Sequence, residues 1–248
     1  MQRGFHEPVE KPRRFYKDVT VAQADGGFAI LLDARKVRTP KGAQLVLPTR
    51  PLADQVAQEW AGQGETIEVA GMHATRLANT ALDSIPQARD ATAQSVADYA
   101  GSDLVCYFAE EPAGLVRRQE ERWGPVLDRA ERDLGLAFVR CAGIVHRTQP
   151  QATLDEVKTL ALALDDFGLT GLAFGAALFG SAVLAFGLQR GWLTGEQAFE
   201  LSRLDESWQE EKWGVDAEAA ERAGRLHGEA QMLARWFRGL DPAPGRSV

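Results

Sequence analysis

Cysteine is almost missing. Only Cys106 and Cys141 occur in 248 residues, far apart and outside any CxxC pattern, so no disulfide framework or structural zinc site is indicated, and reduced, buried thiols are expected. Histidine is nearly as sparse: His6, His73, His146 and His227 are scattered, with no HExxH and no Glu-x-x-His pair of the kind that holds metals inside helical bundles. No metal or cofactor is expected. The GxxxxGK[ST] and GxGxxG loops that cradle phosphates are missing, as is the GxSxG turn that presents a nucleophilic serine. Positive charge is in deficit, 28 Lys and Arg against 35 Asp and Glu for a net −7. That is the wrong sign for a nucleic-acid binder, whose affinity rests on cations that neutralise phosphates. The first thirty residues contain acids and no apolar core segment, which argues against a signal or transit peptide and favours a bacterial cytoplasm.

What is present begins with a 45% apolar content, enough for one large or two small cores. Short apolar runs at Val19 to Ala22, Phe28 to Leu32, Lys36 to Thr39 and Leu45 to Leu47 are separated by Asp25-Gly26-Gly27 and Pro40-Lys41-Gly42. They read as a strand meander, to which Glu65 to Val69 could add. A helix from Pro51 to Ala61, with Thr49 as cap, puts Leu52, Val56 and Trp60 on one face, making Trp60 a core or domain-junction anchor. After Gly71 helical spacing takes over: Leu77, Ala81 and Ile85, then Ala88, Thr92, Val96 and Tyr99, then Leu115, Gln119, Trp123, Val126, Ala130 and Leu134, with a kink expected at Pro125. Phe138 to Val145 reads as a connector or short strand, and Thr153 with Glu156 as a capping box for a helix that turns Leu154, Val157, Leu160, Ala161 and Leu164 inward. The fold class is therefore α+β: a small β-rich N-terminal domain over residues 1–70 with one helix, a larger all-helical C-terminal domain over 71–240, and a flexible tail over 241–248.

Leu169 to Leu188 carries no charge and is long enough to span a bilayer, with a Gly171-x-x-x-Gly175 packing pattern. Four glycines, the acidic flank of Asp165 and Asp166, and the lack of a second such segment favour instead a helix buried on all sides within the helical domain.

Acids and two tryptophans concentrate in Leu204 to Gly214. Thr194 and Gln197 have capping-box spacing upstream, and Gly214 can end the helix. At about 100° per residue, Leu201, Leu204 and Trp208 share one side, while Phe199, Ser202, Glu206 and Trp213 lie nearly opposite, flanked by Gln209 and Glu210. A solvated acidic face is the plain reading, but aromatics bracketing an acid look like a partner-binding surface. Its candidate residues are Phe199, Asp205, Glu206, Gln209, Glu210 and Trp213. A last helix capped by Asp216 spaces Ala219, Ala223, Leu226, Ala230, Leu233 and Phe237 as a packed seam.

Arg14-Phe15-Tyr16-Lys17, Leu47-Pro48-Thr49, Glu59-Trp60, the run Thr75 to Ala81, Asp103 to Tyr107, and Leu204-Asp205-Glu206 through Trp213-Gly214 occur in this order. Together they resemble the assembly chaperones of the ATP synthase F-one sector, which bind the free α subunit of the catalytic headpiece. Ala34 and His73 depart from that pattern, standing where the family often has glycine and proline. The resemblance implies a β-rich start, a helical remainder, no catalytic activity, a functional acidic helix, and the α subunit as protein client. The free chain is expected to be a monomer. Two other readings are an enzyme using the paired acids on a small molecule and a single-span membrane protein anchored by Leu169 to Leu188.

Overall fold

The computed structural model describes residues 11–143 and 147–241. The expectations made for the start of the chain, for Val145 and His146, and for the tail beyond Asp241 fall outside these residues. Strands β1 (Val19–Ala24) and β2 (Gly27–Leu32) form an antiparallel hairpin in which Ala24 pairs with Gly27. Gly27 has a φ of +150°, and a Cβ there would lie 2.1 Å from the Leu47 carbonyl oxygen, so only glycine lets the next strand approach. β2 also pairs with β3 (Arg35–Lys36) and β4 (Val46–Leu47). The left-handed residue of the β2–β3 turn is Asp33, at φ +53°, and not Ala34. Asp33 holds that turn by accepting hydrogen bonds from the amides of Lys17 and Asp18, each at 3.0 Å. A glycine at position 34 is therefore unnecessary.

Glu65 to Val69 adds no strand. Thr66 makes an isolated bridge to Arg13, and Val69–Gly71 is a 3-10 turn. Helix α1 (Arg50–Ala61) is capped by Thr49 and buries Leu52 and Val56 completely. Trp60 packs on the rim of the core, its ring 5.9 Å from that of Tyr16, whose hydroxyl donates to the Trp60 carbonyl. Other residues tie α1 to the last helix: Leu52 lies against Gly239, Gln55 Nε2 donates to the Met232 carbonyl at 3.2 Å, and Thr49 Oγ1 donates to the Gly239 carbonyl.

Helices α2 (His73–Asp83) and α3 (Ile85–Gly101) follow, separated at Ser84. The Glu59 carboxylate accepts from the amides of Ala74 and Thr75 and from the Thr75 hydroxyl at 2.7 to 2.8 Å, satisfying the first turn of α2 from a neighbouring helix. On α3 the buried stripe is Ala93, Val96, Ala97 and Ala100, so Tyr99 is exposed, contrary to the sequence reading. After β5 (Tyr107–Phe108), helix α4 (Ala113–Leu134) runs unbroken through Pro125 and buries Gln119, Trp123, Val126 and Ala130. The connector contains β6 (Cys141–Ala142), which pairs in parallel with β5, so the helical region includes one two-residue ladder. Thr153 is not a cap of α5 (Gln151–Leu162): Pro150 occupies that position, and the buried Thr153 hydroxyl donates to the Ala137 carbonyl at 2.8 Å.

The uncharged stretch is mostly buried, though not on all sides, since Ala177 is exposed and Ala173, Phe174 and Leu178 are half-covered, and it forms two helices, α6 (Asp166–Phe179) and α7 (Ala182–Gln189). Gly180, at φ +62°, ends α6, and Ser181 caps α7 by accepting from the Leu184 amide. A Cβ on Gly171 would lie 2.9 Å from the Trp236 ring, so the glycine admits that indole. Among the described residues no helix is long and apolar enough to cross a membrane. Helices α8 (Gly195–Ser202), α9 (Leu204–Trp213) and α10 (Ala217–Leu240) complete the chain. One connected core runs from Ile30 and Leu47 through Leu52 to Leu172, Leu184, Leu233 and Trp236.

Candidate functional site

Both halves of the expected capping box form: the Gln197 amide donates to Thr194 Oγ1 at 3.1 Å and the Thr194 amide donates to Gln197 Oε1 at 2.9 Å. The single helix expected from Thr194 to Gly214 nevertheless breaks at Arg203, which leaves helical geometry at φ −122° and ψ 24°. Buried Trp123 takes advantage of the break, its indole N–H donating to the Leu201 carbonyl at 3.0 Å. Arg203 itself pairs with Glu210 at 2.6 Å and lies 5.7 Å from the Phe199 ring centroid.

The break sends the two halves of the candidate surface in different directions. Phe199 turns toward α10, its half-buried ring edge-on to His227 at 5.0 Å. Asp205, Glu206, Gln209, Glu210 and Trp213 instead line one groove of about 800 Å³. The first half of α10 also lines it, with Ala219, Ala223 and Leu226, as do Leu104, Tyr107 and Leu178. Five of the six candidate residues thus share a site and Phe199 does not.

The acids of the groove are not equivalent. Half-buried Asp205 accepts from Gln119 Nε2 at 2.7 Å; burial raises its pKa and the Gln119 hydrogen bond pulls it partly back. Gln119 is itself fixed, since its Oε1 accepts from the Ala109 amide at 2.7 Å. Glu210 is held by Arg203, and Asp216 caps α10 by accepting from the Ala219 amide at 2.7 Å. Glu206 is exposed and has no partner among the described residues. Trp213, 79% exposed, lines the same groove.

Trp208, assigned from the sequence to the core-facing side, instead clasps α9 to α4. Its ring lies over Gly114, where a Cβ would come within 2.7 Å, with the Arg118 guanidinium 4.7 Å and the Lys212 ammonium 5.1 Å from the ring centroid. Arg118 also pairs with Glu211 at 2.6 Å. Neither Gly114 nor Arg118 was visible as part of the site in the sequence, because their importance comes from a helix nearly a hundred residues away. Gly114→Leu should push this indole off α4 and destabilise the protein by about 1 to 3 kcal/mol, the usual cost of overpacking. Chemical denaturation followed by tryptophan fluorescence checks this, and an unchanged midpoint with an unchanged native spectrum would refute it.

Among the described residues no three His, Cys, Asp or Glu side chains are grouped to hold a metal ion. Cys106 and Cys141 are both buried, and burial first, then nearby Asp103, pushes the Cys106 thiol well above its usual pKa, the opposite of an activated nucleophile.

Residues 13–131 match the ATP12 chaperone protein family. Over 228 residues the chain is 24% identical to the mitochondrial protein atp12 of Schizosaccharomyces pombe, spanning 86% of this chain and 78% of that protein. The crystal structure of Atp12 from Paracoccus denitrificans is 36% identical and superposes with a TM-score of 0.85, covering 93% of this chain and 99% of that one. The Atu1473 protein of Agrobacterium tumefaciens is 40% identical, with a TM-score of 0.86 and coverage of 93% and 87%. Strands first and helices after, over nearly the full length of these structures, are what this chain shares with them: it belongs to the ATP12 family of ATP synthase assembly chaperones.

Proposed function

We propose that the client is the free α subunit of the ATP synthase headpiece, and that the groove beside α9 receives it without catalysis by the chaperone. The observation that carries this reading is Glu206, a carboxylate without a partner among the described residues that lines a groove together with the exposed Trp213. An unassembled α subunit exposes apolar surface that its β neighbour later covers, and surface of that kind promotes aggregation. A chaperone that covers it through a few aromatic and charged contacts can be displaced when β arrives, with no nucleotide needed. The hydrogen bond from Gln119 to Asp205 and the pairing of Glu210 with Arg203 favour a binding surface over an acid/base couple. For the site of action we propose the bacterial cytoplasm, which the similarity to the Paracoccus denitrificans and Agrobacterium tumefaciens proteins supports, and a monomer when free.

Glu206→Gln keeps the size of the side chain and removes the charge. If a client Arg or Lys reaches this carboxylate as the groove closes to water, the substitution weakens capture of purified α subunit by about 1.5 to 3 kcal/mol, the range for charged hydrogen bonds. The melting temperature should stay where it is, since nothing in the fold leans on this side chain. Unchanged capture would remove Glu206 from the site, and a lower melting temperature would make it structural.

A further inference from the structure

The apolar stripe of α10 does not end where the core ends. Ala230, Leu233 and Phe237 are buried, whereas Ala219, Ala223 and Leu226, which continue the same spacing, are only half-covered and face the open groove. Exposed i,i+4 pairs, Glu218 with Arg222 and Glu221 with Arg225, support the helix along this half. From α9 the same groove is lined by Glu206, Gln209 and Trp213, at i, i+3 and i+7. Four carboxylates and two guanidiniums line the groove, and among the described residues the carboxylate left without a partner is Glu206.

We propose that α9 and the first half of α10 are two walls of a seat for an amphipathic helix of the client, with its apolar face on Ala219, Ala223 and Leu226 and one basic side chain directed at Glu206. This rests on the α-subunit reading above and adds what the groove takes. Twelve residues of α10, from Ala217 to Gly228, give a seat about 18 Å long at 1.5 Å per residue, or roughly three helical turns. The walls are helices, whose backbone groups are already bonded internally, and the one strand that lines the groove contributes Tyr107 alone. An extended segment would enter with most of its own N–H and C=O groups unpaired, whereas a helix arrives with them satisfied. The uncompensated carboxylate selects a cation on the incoming face, and the half-covered stripe selects apolar side chains around it.

Ala223→Trp fills the seat from its wall, Leu226→Asp makes the same wall polar, and Arg225→Ala alters the outer face of the same helix as a control. Each variant is checked for fold by circular dichroism, and capture of purified α subunit is measured alongside hydrogen exchange of the chaperone. The expected result is a loss of about tenfold or more in affinity for Ala223→Trp and Leu226→Asp, parental affinity for Arg225→Ala, and slowed exchange at residues 217–228 of the parent only when α subunit is bound. Capture by the parent that Ala223→Trp and Leu226→Asp leave unchanged would overturn the seat while leaving the client reading intact. A parent that captures no α subunit would overturn both. If instead the parent alone self-associates and Ala223→Trp abolishes that, the occupant is a second copy of the chain and the proposal falls.

Discussion

Replacing Trp236 with alanine should lower the unfolding free energy by about 3 to 5 kcal/mol, the range for removing a large buried aromatic side chain. Trp236 is fully buried on the C-terminal half of α10, and its indole N–H donates to the Phe167 carbonyl at 3.2 Å. Its ring lies against Gly171 of α6, close enough that a Cβ there would intrude, and 6.1 Å from the ring of Phe167. Alanine leaves a hole bounded by helices that are themselves held on other sides, so collapse can recover only part of the loss. The same half of α10 carries Met232 and Gly239, which meet α1. Guanidinium denaturation is the measurement, and a loss below about 1 kcal/mol would mean that the site repacks freely. Capture of α subunit, normalised to the folded fraction, should be nearly unchanged, because the groove wall lies on the other half of the helix.

The second large effect is a pH dependence from Asp103. This carboxylate is fully buried and accepts from the amides of Val183 at 3.0 Å and Val105 at 3.3 Å, with Ser181 and Ala182 also donating. Those bonds lower its pKa, but burial outweighs them and pushes it from 3.8 up to about 6. A carboxyl that is harder to ionise in the folded than in the unfolded chain stabilises the fold most at pH below its unfolded value, and that contribution is lost as pH rises through its folded value. Over the whole window the change is on the order of 3 kcal/mol, of which about 1 kcal/mol falls between pH 5 and pH 7. Carboxyl NMR of Asp103 should titrate near 6, and a midpoint below 4 would overturn the assignment. Asp103→Leu should flatten this part of the stability profile and lower stability at every pH, since buried amides at the α6–α7 joint lose their acceptor.

The motifs that carried the family resemblance mostly hold the fold together. The Arg14 guanidinium donates to the Ala61 and Gln63 carbonyls at the end of α1, Glu59 caps α2, and Asp103 ties its segment to the start of α7. Such residues are recognisable in sequence because each serves a backbone geometry that few side chains can satisfy. Glu206 and Trp213 differ: both are exposed, and no hydrogen bond, ion pair or ring contact holds either side chain among the described residues.

Strands before helices, the caps Thr49, Thr194 and Asp216, the inward face of α4 and the largely buried character of Leu169 to Leu188 were legible in the sequence, because periodicity and capping are local properties that survive without knowledge of neighbours. Tertiary structure alone decided that the Thr194 to Gly214 helix breaks at Arg203, that Trp208 clasps Gly114 instead of entering the core, and that Phe199 leaves the acidic face. It also decided which acids are spent, Asp205 on Gln119 and Glu210 on Arg203, and that the seam of α10 is buried along only half its length. Each depends on a partner contributed by a distant element, and the competition between a helical backbone bond and such a partner is settled only when the two are brought together.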